Sequence, residues 1–302
     1  MTNEKRLKNL SVPEGATDVV LDTDAFNEID DQFAIAYLLR NGKKLRTRAI
    51  YAAPFRNEKS ESAADGMEKS YREILKVLDL MGESREVYRG SDCFLADEKT
   101  PVVSPAAADL VARAKGYSPE KPLYVVAIGA ITNVASAILL DPAIIENIVV
   151  VWLGGNGMHY HDTKEFNLIQ DIAATRVVFG SGVPLVMLPC MGVVSAFAVS
   201  RYELEHWFVG KNALATYLAE NTIAAAESYA AGKPWTRVIW DVTAVAWLVN
   251  DRDRFMLSRV VPTPMPTYEH QYAIDRGALP ARYVYHIKRD ALLADLIEKV
   301  CQ

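Results

Sequence analysis

Two stretches of strand length, LYVVAI at residues 123–128 and IVVVWL at 148–153, carry no charged or amide side chain. A strand with one face in water alternates apolar and polar residues. These two do not, so both of their faces must be buried, as in a parallel sheet covered by helices on either side. Residues 19–22, 47–52 and 184–188 read as further strands. Between the strands lie longer stretches with helical spacing. In 29–40 the spaced residues are Phe33, Ala36, Tyr37 and Arg40, and Asn41-Gly42 stops the helix. In 63–81 they are Met67, Tyr71, Ile74 and Leu78, and helices are also expected from Ala130-Ile131-Thr132-Asn133 onward, at 172–179 and at 213–229. This alternation predicts an α/β, layered Rossmann-like fold with a mostly parallel central sheet flanked by helices. At 302 residues the chain is long enough for two domains of about 150. No linker-like segment divides it, and residues 1–302 are expected to form a single domain. The segment PTPMP at 262–266 reads as a surface turn in a helical C-terminal third.

Composition excludes several function classes. The net charge is −5, so there is no basic excess to neutralise phosphates, and neither nucleic acid nor membrane is an expected partner. No apolar run approaches the length of a membrane span. The first residues, MTNEKRLKNLSVPEG, lack the apolar region of a secretory signal. Cys93, Cys190 and Cys301 are scattered and show no C-x-x-C spacing, which fits reduced thiols and a cytoplasmic location.

The most informative segment is DTDAFNEIDD at 22–31, with five carboxylates in ten residues at the end of a buried strand. Between Lys8 and Arg40 there are seven acids and no Lys or Arg. Carboxylates held this close repel and raise one another's pKa. A helix N-terminus supplies only about half a charge to oppose them. A cation is therefore expected, and an all-oxygen group without His or Cys favours a hard ion over zinc. The ends of strands in parallel sheets are also where ligands bind.

The pattern Asp22-Thr23-Asp24, a loop, then Asp30-Asp31 resembles the inosine–uridine-preferring nucleoside hydrolases, whose usual form is D-x-D-P-G-x-D-D-A-x-A. Here Ala25-Phe26-Asn27-Glu28 stands where Pro-Gly is usual, and the loop is two residues longer. Other family-like segments follow in order: Ile131-Thr132-Asn133-Val134-Ala135, Gly154-Gly155-Asn156, Glu165-Phe166-Asn167, Asp171-Ile172-Ala173-Ala174 and Trp240-Asp241. Together they cover about residues 17–250.

The resemblance implies hydrolysis of the N-glycosidic bond of a ribonucleoside to ribose and free base. It implies Ca2+ held by Asp24, Asp31, the Thr132 carbonyl and Asp241, with direct attack by a calcium-bound water. Asp24 would also be the general base, and Asp22 would orient the ligands from behind. Asp30, Glu165 and Asn167 would hold ribose hydroxyls, with Asn57 near the same site and Asn156 or His159 at the 5′-hydroxyl. Trp240 stands where many members have His, which resembles the purine-preferring branch, and it would stack on the leaving base. By analogy the chain is expected to be a homodimer or homotetramer acting on a small-molecule nucleoside. Two other readings compete. One is a nucleoside- or ribose-binding protein of the same fold without turnover. The other is a haloacid-dehalogenase-type phosphatase using Asp22 and Asp24, for which Asp251-Arg252-Asp253 is a poor second acidic pair.

Overall fold

The computed structural model describes residues 1–302. Its central sheet has eight strands. In chain order these are β1 (Thr17–Thr23), β2 (Leu45–Ala52), β3 (Val87–Arg89), β4 (Leu123–Ala127), β5 (Ile148–Leu153), β6 (Leu185–Leu188), β9 (Met256–Pro262) and β12 (Pro280–Ile287). Two small ribbons lie outside it, β7 (Ala198–Ser200) with β8 (Thr236–Val238), and β10 (Met265–Pro266) with β11 (Tyr272–Ala273). The helices are α1 (Asn3–Asn9), α2 (Asp31–Arg40), α3 (Ala63–Met81), α4 (Pro105–Ala114), α5 (Thr132–Leu140) and α6 (Phe166–Gln170). They continue with α7 (Ile172–Gly180), α8 (Arg201–Trp207), α9 (Ala213–Ala230), α10 (Val242–Trp247) and α11 (Arg289–Val300).

The strand order is β3-β2-β1-β4-β5-β6-β12-β9. Every adjacent pair is parallel except β12 and β9. The two-faced burial read from the sequence has a direct structural counterpart in β5. Val149, Val151 and Leu153 enter one apolar cluster with side chains of α2, α10 and α11. Ile148, Val150 and Trp152 enter the other with α4, α5 and α7. Each such side chain, fully buried, contributes on the order of 1.5–3 kcal/mol.

The C-terminal third departs from expectation. Helices α8 to α11 lie there as expected, but β9 and β12 also form an antiparallel pair that extends the sheet. The segment at 262–266 is the end of β9 and the start of the β10–β11 ribbon. Pro262 is tolerated there because β9 is an edge strand, where a missing N–H breaks no ladder. Helix α2 starts at Asp31 instead of 29, because Ile29 and Asp30 belong to the turn that precedes it. No helix is long and apolar enough to cross a membrane.

The topology positions the site. Chain progression reverses beside β1, which lies between β2 and β4. Such a switch point leaves a crevice at the carboxyl ends of the strands. Residues at or just past the ends of β1, β4, β5 and β6 meet there.

Candidate functional site

A cleft of about 240 Å³ opens at these strand ends. Asp24, Glu28, Asp30, Asp31, Glu165 and Asp241 line it. Carboxylate oxygens of Asp30, Asp31 and Asp241 lie within 4.8 Å of one another and could hold a metal ion. Asp24 lines the same cleft outside this closest group. Its Oδ1 rests on Gly129, where a Cβ would fall 2.9 Å away, so only glycine fits that position. Its Oδ2 is buried without a partner.

Local sequence explains the convergence. Asp24 follows β1, and Asp30 and Asp31 enter α2, whose N-terminus places partial positive charge beneath them. Asp241 precedes α10 in the same way. Thr23 donates its hydroxyl to Asp31 Oδ1.

Burial dominates the electrostatics of the group. Asp30 is pushed up to about 8 by burial and then by Glu28 and Asp31, with Arg237 pulling the other way. Asp31 rises to about 6, mainly by burial, against hydrogen bonds from Thr23 and Asp241. Asp24 and Asp241 are held well above the usual carboxylate range by burial and by their acidic neighbours. These carboxylates cannot all ionise near neutral pH without a compensating cation. Their all-oxygen donors, with one buried oxygen unpartnered, fit a hard divalent ion.

Asp22 is fully buried and does not line the cleft. Its Oδ1 accepts from Asn133 Nδ2 at 2.7 Å, and burial raises it to about 7. That placement removes the phosphatase alternative, which needs Asp22 exposed to substrate as a nucleophile. Asn133 also donates to the Ala52 carbonyl, and its Oδ1 accepts from the Ser91 amide and hydroxyl. Asn133→Ala leaves all of these buried groups unpaired. It is expected to cost about 2–4 kcal/mol, read as a lower midpoint in urea denaturation.

Glu165 caps α6. Its oxygens accept from the amides of Gly155 at 2.8 Å, Asn167 at 2.9 Å and Leu168 at 3.1 Å. Burial nevertheless raises it to about 7 against those bonds. Asn167 Nδ2 ties β4 to β5 by donating to the carbonyls of Ile128 at 3.1 Å and Leu153 at 3.0 Å. Trp240 lines the cleft beside Asp241, and Phe166 and Met191 line it too.

The structure does not bring four of the sequence-predicted residues to the cleft. Thr132 is the first residue of α5, where its carbonyl joins the helical ladder, and its hydroxyl donates to Asp171. Ile128, four residues earlier, lines the cleft instead. Asn57 acts from behind, donating to Asn27 Oδ1, and Asn27 is the residue in the cleft wall. Asn156 is buried in its loop, donating to the Asp162 carbonyl and accepting from the Met191 amide. His159 lies against Gly157 and Gly192 in a separate depression with Arg259 and Tyr285. His161 is exposed beside Asp162, and no histidine lines the cleft.

Sequence reasoning also missed residues that are present. Ile128, Lys164, Cys190 and Met191 line the cleft, and Arg237 pairs with Glu28 on its wall. Their only sequence signal is position one to three residues beyond a strand or before a recognised motif.

The profile of the inosine-uridine preferring nucleoside hydrolases matches residues 19–282. The chain belongs to this family. A pyrimidine-specific ribonucleoside hydrolase, RihA of Citrobacter koseri, is 27% identical over 178 residues, 51% of this chain and 56% of the relative. RihB of Escherichia coli O1:K1, also named pyrimidine-specific, is 42% identical over 66 residues, 21% of each chain. The chain thus matches between about a fifth and just over half of these relatives' length. A purine-preferring ribonucleoside hydrolase from Gardnerella vaginalis has the same fold, with a TM-score of 0.74 at 20% identity, covering 94% of this chain and 98% of that one.

Proposed function

We propose that this chain hydrolyses the N-glycosidic bond of ribonucleosides, with Ca2+ as cofactor and a preference for purines. The supporting observation is the strand-end cleft, which buried carboxylates line together with Trp240, Phe166 and Met191. Asp24, Asp31, Asp241 and the Ile128 carbonyl, in place of Thr132, would hold the ion. When bound, calcium supplies Lewis acidity toward water and orients neighbouring sugar hydroxyls.

The chain's own groups supply the rest. Asp24 has a buried oxygen with no protein partner, suited to taking a proton from the attacking water as general base. The new bond joins that water oxygen to C1′, and the C1′–N bond breaks with its electrons leaving on the base. The proton taken up by Asp24 balances the one the departing base acquires. Asp30, Glu165 and Asn167, which all line the cleft, would hold the ribose hydroxyls, and the surrounding negative charge would favour an oxocarbenium-like transition state. No covalent enzyme intermediate is required.

Trp240 would stack on the base, an interaction worth roughly 1–3 kcal/mol and larger for the wider ring system. The assay is reducing-sugar release from inosine, adenosine, guanosine, uridine and cytidine, with calcium and with chelator. Release that disappears with chelator supports both reaction and metal. Trp240→Ala is expected to lower kcat/KM for purines about tenfold or more and for pyrimidines less. Equal losses would remove the stacking role. No release from any nucleoside by calcium-loaded protein would favour binding without turnover.

A further inference from the structure

The depression that holds His159 lies outside the cleft, and the proposed reaction does not use it. It measures about 400 Å³ and is lined by Met158, His159, Arg259, Tyr283 and Tyr285, with no carboxylate among them. The chain as a whole carries an acidic excess, at a net charge of −5. A hollow free of acids around a guanidinium therefore differs from its average surface.

Three features of the fold build this hollow. The ring of His159 sits in a slot between two glycines. A Cβ on Gly192, whose φ is +85°, would fall 2.7 Å from His159 Nε2, and one on Gly157 would fall 2.8 Å from Cε1. Glycine is required at both positions for the ring to lie there. From the sheet side, Arg259 stands opposite Tyr283 in the β9–β12 ladder. Its guanidinium lies 5.7 Å from the ring centre of Tyr283 and 5.8 Å from that of Tyr285. Strand β12 is bulged at this point, since Val284 pairs with Ser258 and His286 with Leu257, which leaves Tyr285 as the extra residue. Bulges re-aim side chains and recur beside functional sites. Finally, Tyr283 is only 2% exposed, and its hydroxyl accepts from the Met158 amide at 3.0 Å. That hydroxyl keeps its own hydrogen to donate.

These groups share one chemistry. The guanidinium presents its N–H donors in a planar fork that matches phosphate oxygens. The His159 ring and the two phenol hydroxyls add donors, one from the loop and two from the sheet. Donors arriving from two sides suit the oxygens of a tetrahedral anion better than those of a planar carboxylate. We propose that this hollow is a second ligand site, separate from the cleft, which binds a phosphate-type oxyanion through Arg259, His159, Tyr283 and Tyr285. It shares a wall with the cleft. The Gly157 amide donates to the Met191 carbonyl at 2.8 Å and the Cys190 amide to the Gly155 carbonyl at 2.8 Å, while Cys190 and Met191 line the cleft.

The test follows His159 by proton NMR in the full chain with stoichiometric calcium. Inorganic phosphate is titrated in at constant pH, with sodium chloride holding the ionic strength. The chain has five histidines, and the His159 Cε1–H signal is the one missing from His159→Gln. It should move saturably, with a midpoint of about 1–5 mM, the affinity of a few charge-assisted hydrogen bonds. Arg259→Met should raise that midpoint at least tenfold with an unchanged melting temperature. Arg259→Lys should recover only part of the affinity, because an ammonium keeps the charge and loses the fork. Ribose 5-phosphate separates the sources of the anion. Tighter binding than inorganic phosphate assigns the site to a phosphate monoester and equal binding assigns it to free phosphate, and either result supports the site. A signal that fails to saturate by about 50 mM phosphate, an equal response to chloride alone, or a midpoint unchanged in Arg259→Met would overturn it. None of these readouts depends on turnover, so the outcome is independent of nucleoside hydrolysis.

Discussion

Asp24→Asn is expected to lower kcat for nucleoside hydrolysis by about a thousandfold and to weaken calcium binding in the same protein. The side chain is 1% exposed at the end of β1, with Oδ1 against Gly129 and Oδ2 unpartnered. Asparagine keeps the shape and removes both the charge and the proton acceptor. Loss of a general base alone costs about 10²–10⁴ in rate. Loss of a carboxylate from an all-oxygen site adds a weaker affinity for the ion. The metal-free variant should also melt higher than the metal-free wild type, since Asp30, Asp31 and Asp241 then repel one charge fewer. Reducing-sugar release and calorimetric calcium titration read the first two effects. Turnover above a few per cent of wild type, at saturating calcium, would show that another group takes the proton.

The second large effect concerns pH and calcium together. Without metal, Asp31, Asp22 and Asp30 have folded-state values of about 6, 7 and 8. In the unfolded chain an aspartate titrates near 3.9. The folded state therefore binds protons more tightly than the unfolded one. The stability linked to those protons is fully present below about pH 4 and is lost as pH rises through 6 to 8. Each proton retained in the folded state and absent from the unfolded one corresponds to about 1.4 kcal/mol per pH unit. Groups with the opposite linkage, such as Asp18 held low by Arg48, Tyr117 and Arg46, change only at lower pH. Chelated protein should accordingly melt at a lower temperature at pH 8.5 than at pH 5.5. Calcium in hundredfold excess over its Kd adds about 2.7 kcal/mol, on the order of 5 °C. The gain should be larger at pH 8.5, where the ion displaces fewer protons. A melting temperature of chelated protein that is flat or rises over this range would contradict the clustered-carboxylate account.

Much of the fold was legible because its signals are periodic. The unbroken apolar runs of β4 and β5 required helices on both faces, and the clusters on either side of β5 supply them. The strands β9 and β12, MLSRVVP and PARYVYHI, escaped because neither is an unbroken apolar run and neither alternates with period two, so no strand periodicity marks them. The acidic group was legible because like charges at a strand end need a neutralising partner. The single residues around it were less so. A motif such as ITNVA marks a segment, but which residue near it lines a cleft depends on where the helix starts. The start of α5 at Thr132 leaves that position to Ile128.

The sequence by itself determined the layered α/β architecture and the concentration of carboxylates after the first strand. Both follow from local pattern, since burial periodicity and charge density are properties of neighbouring residues. Only the tertiary structure decided which distant groups meet that concentration. Asn133 reaches Asp22 across 111 residues, Asp241 joins Asp30 and Asp31 by way of α10, and Arg237 reaches Glu28 because β8 pairs with β7 beside the cleft. Such meetings depend on strand order and on how outlying ribbons and helices dock against the sheet. No local periodicity encodes them, because they arise from packing between elements far apart along the chain.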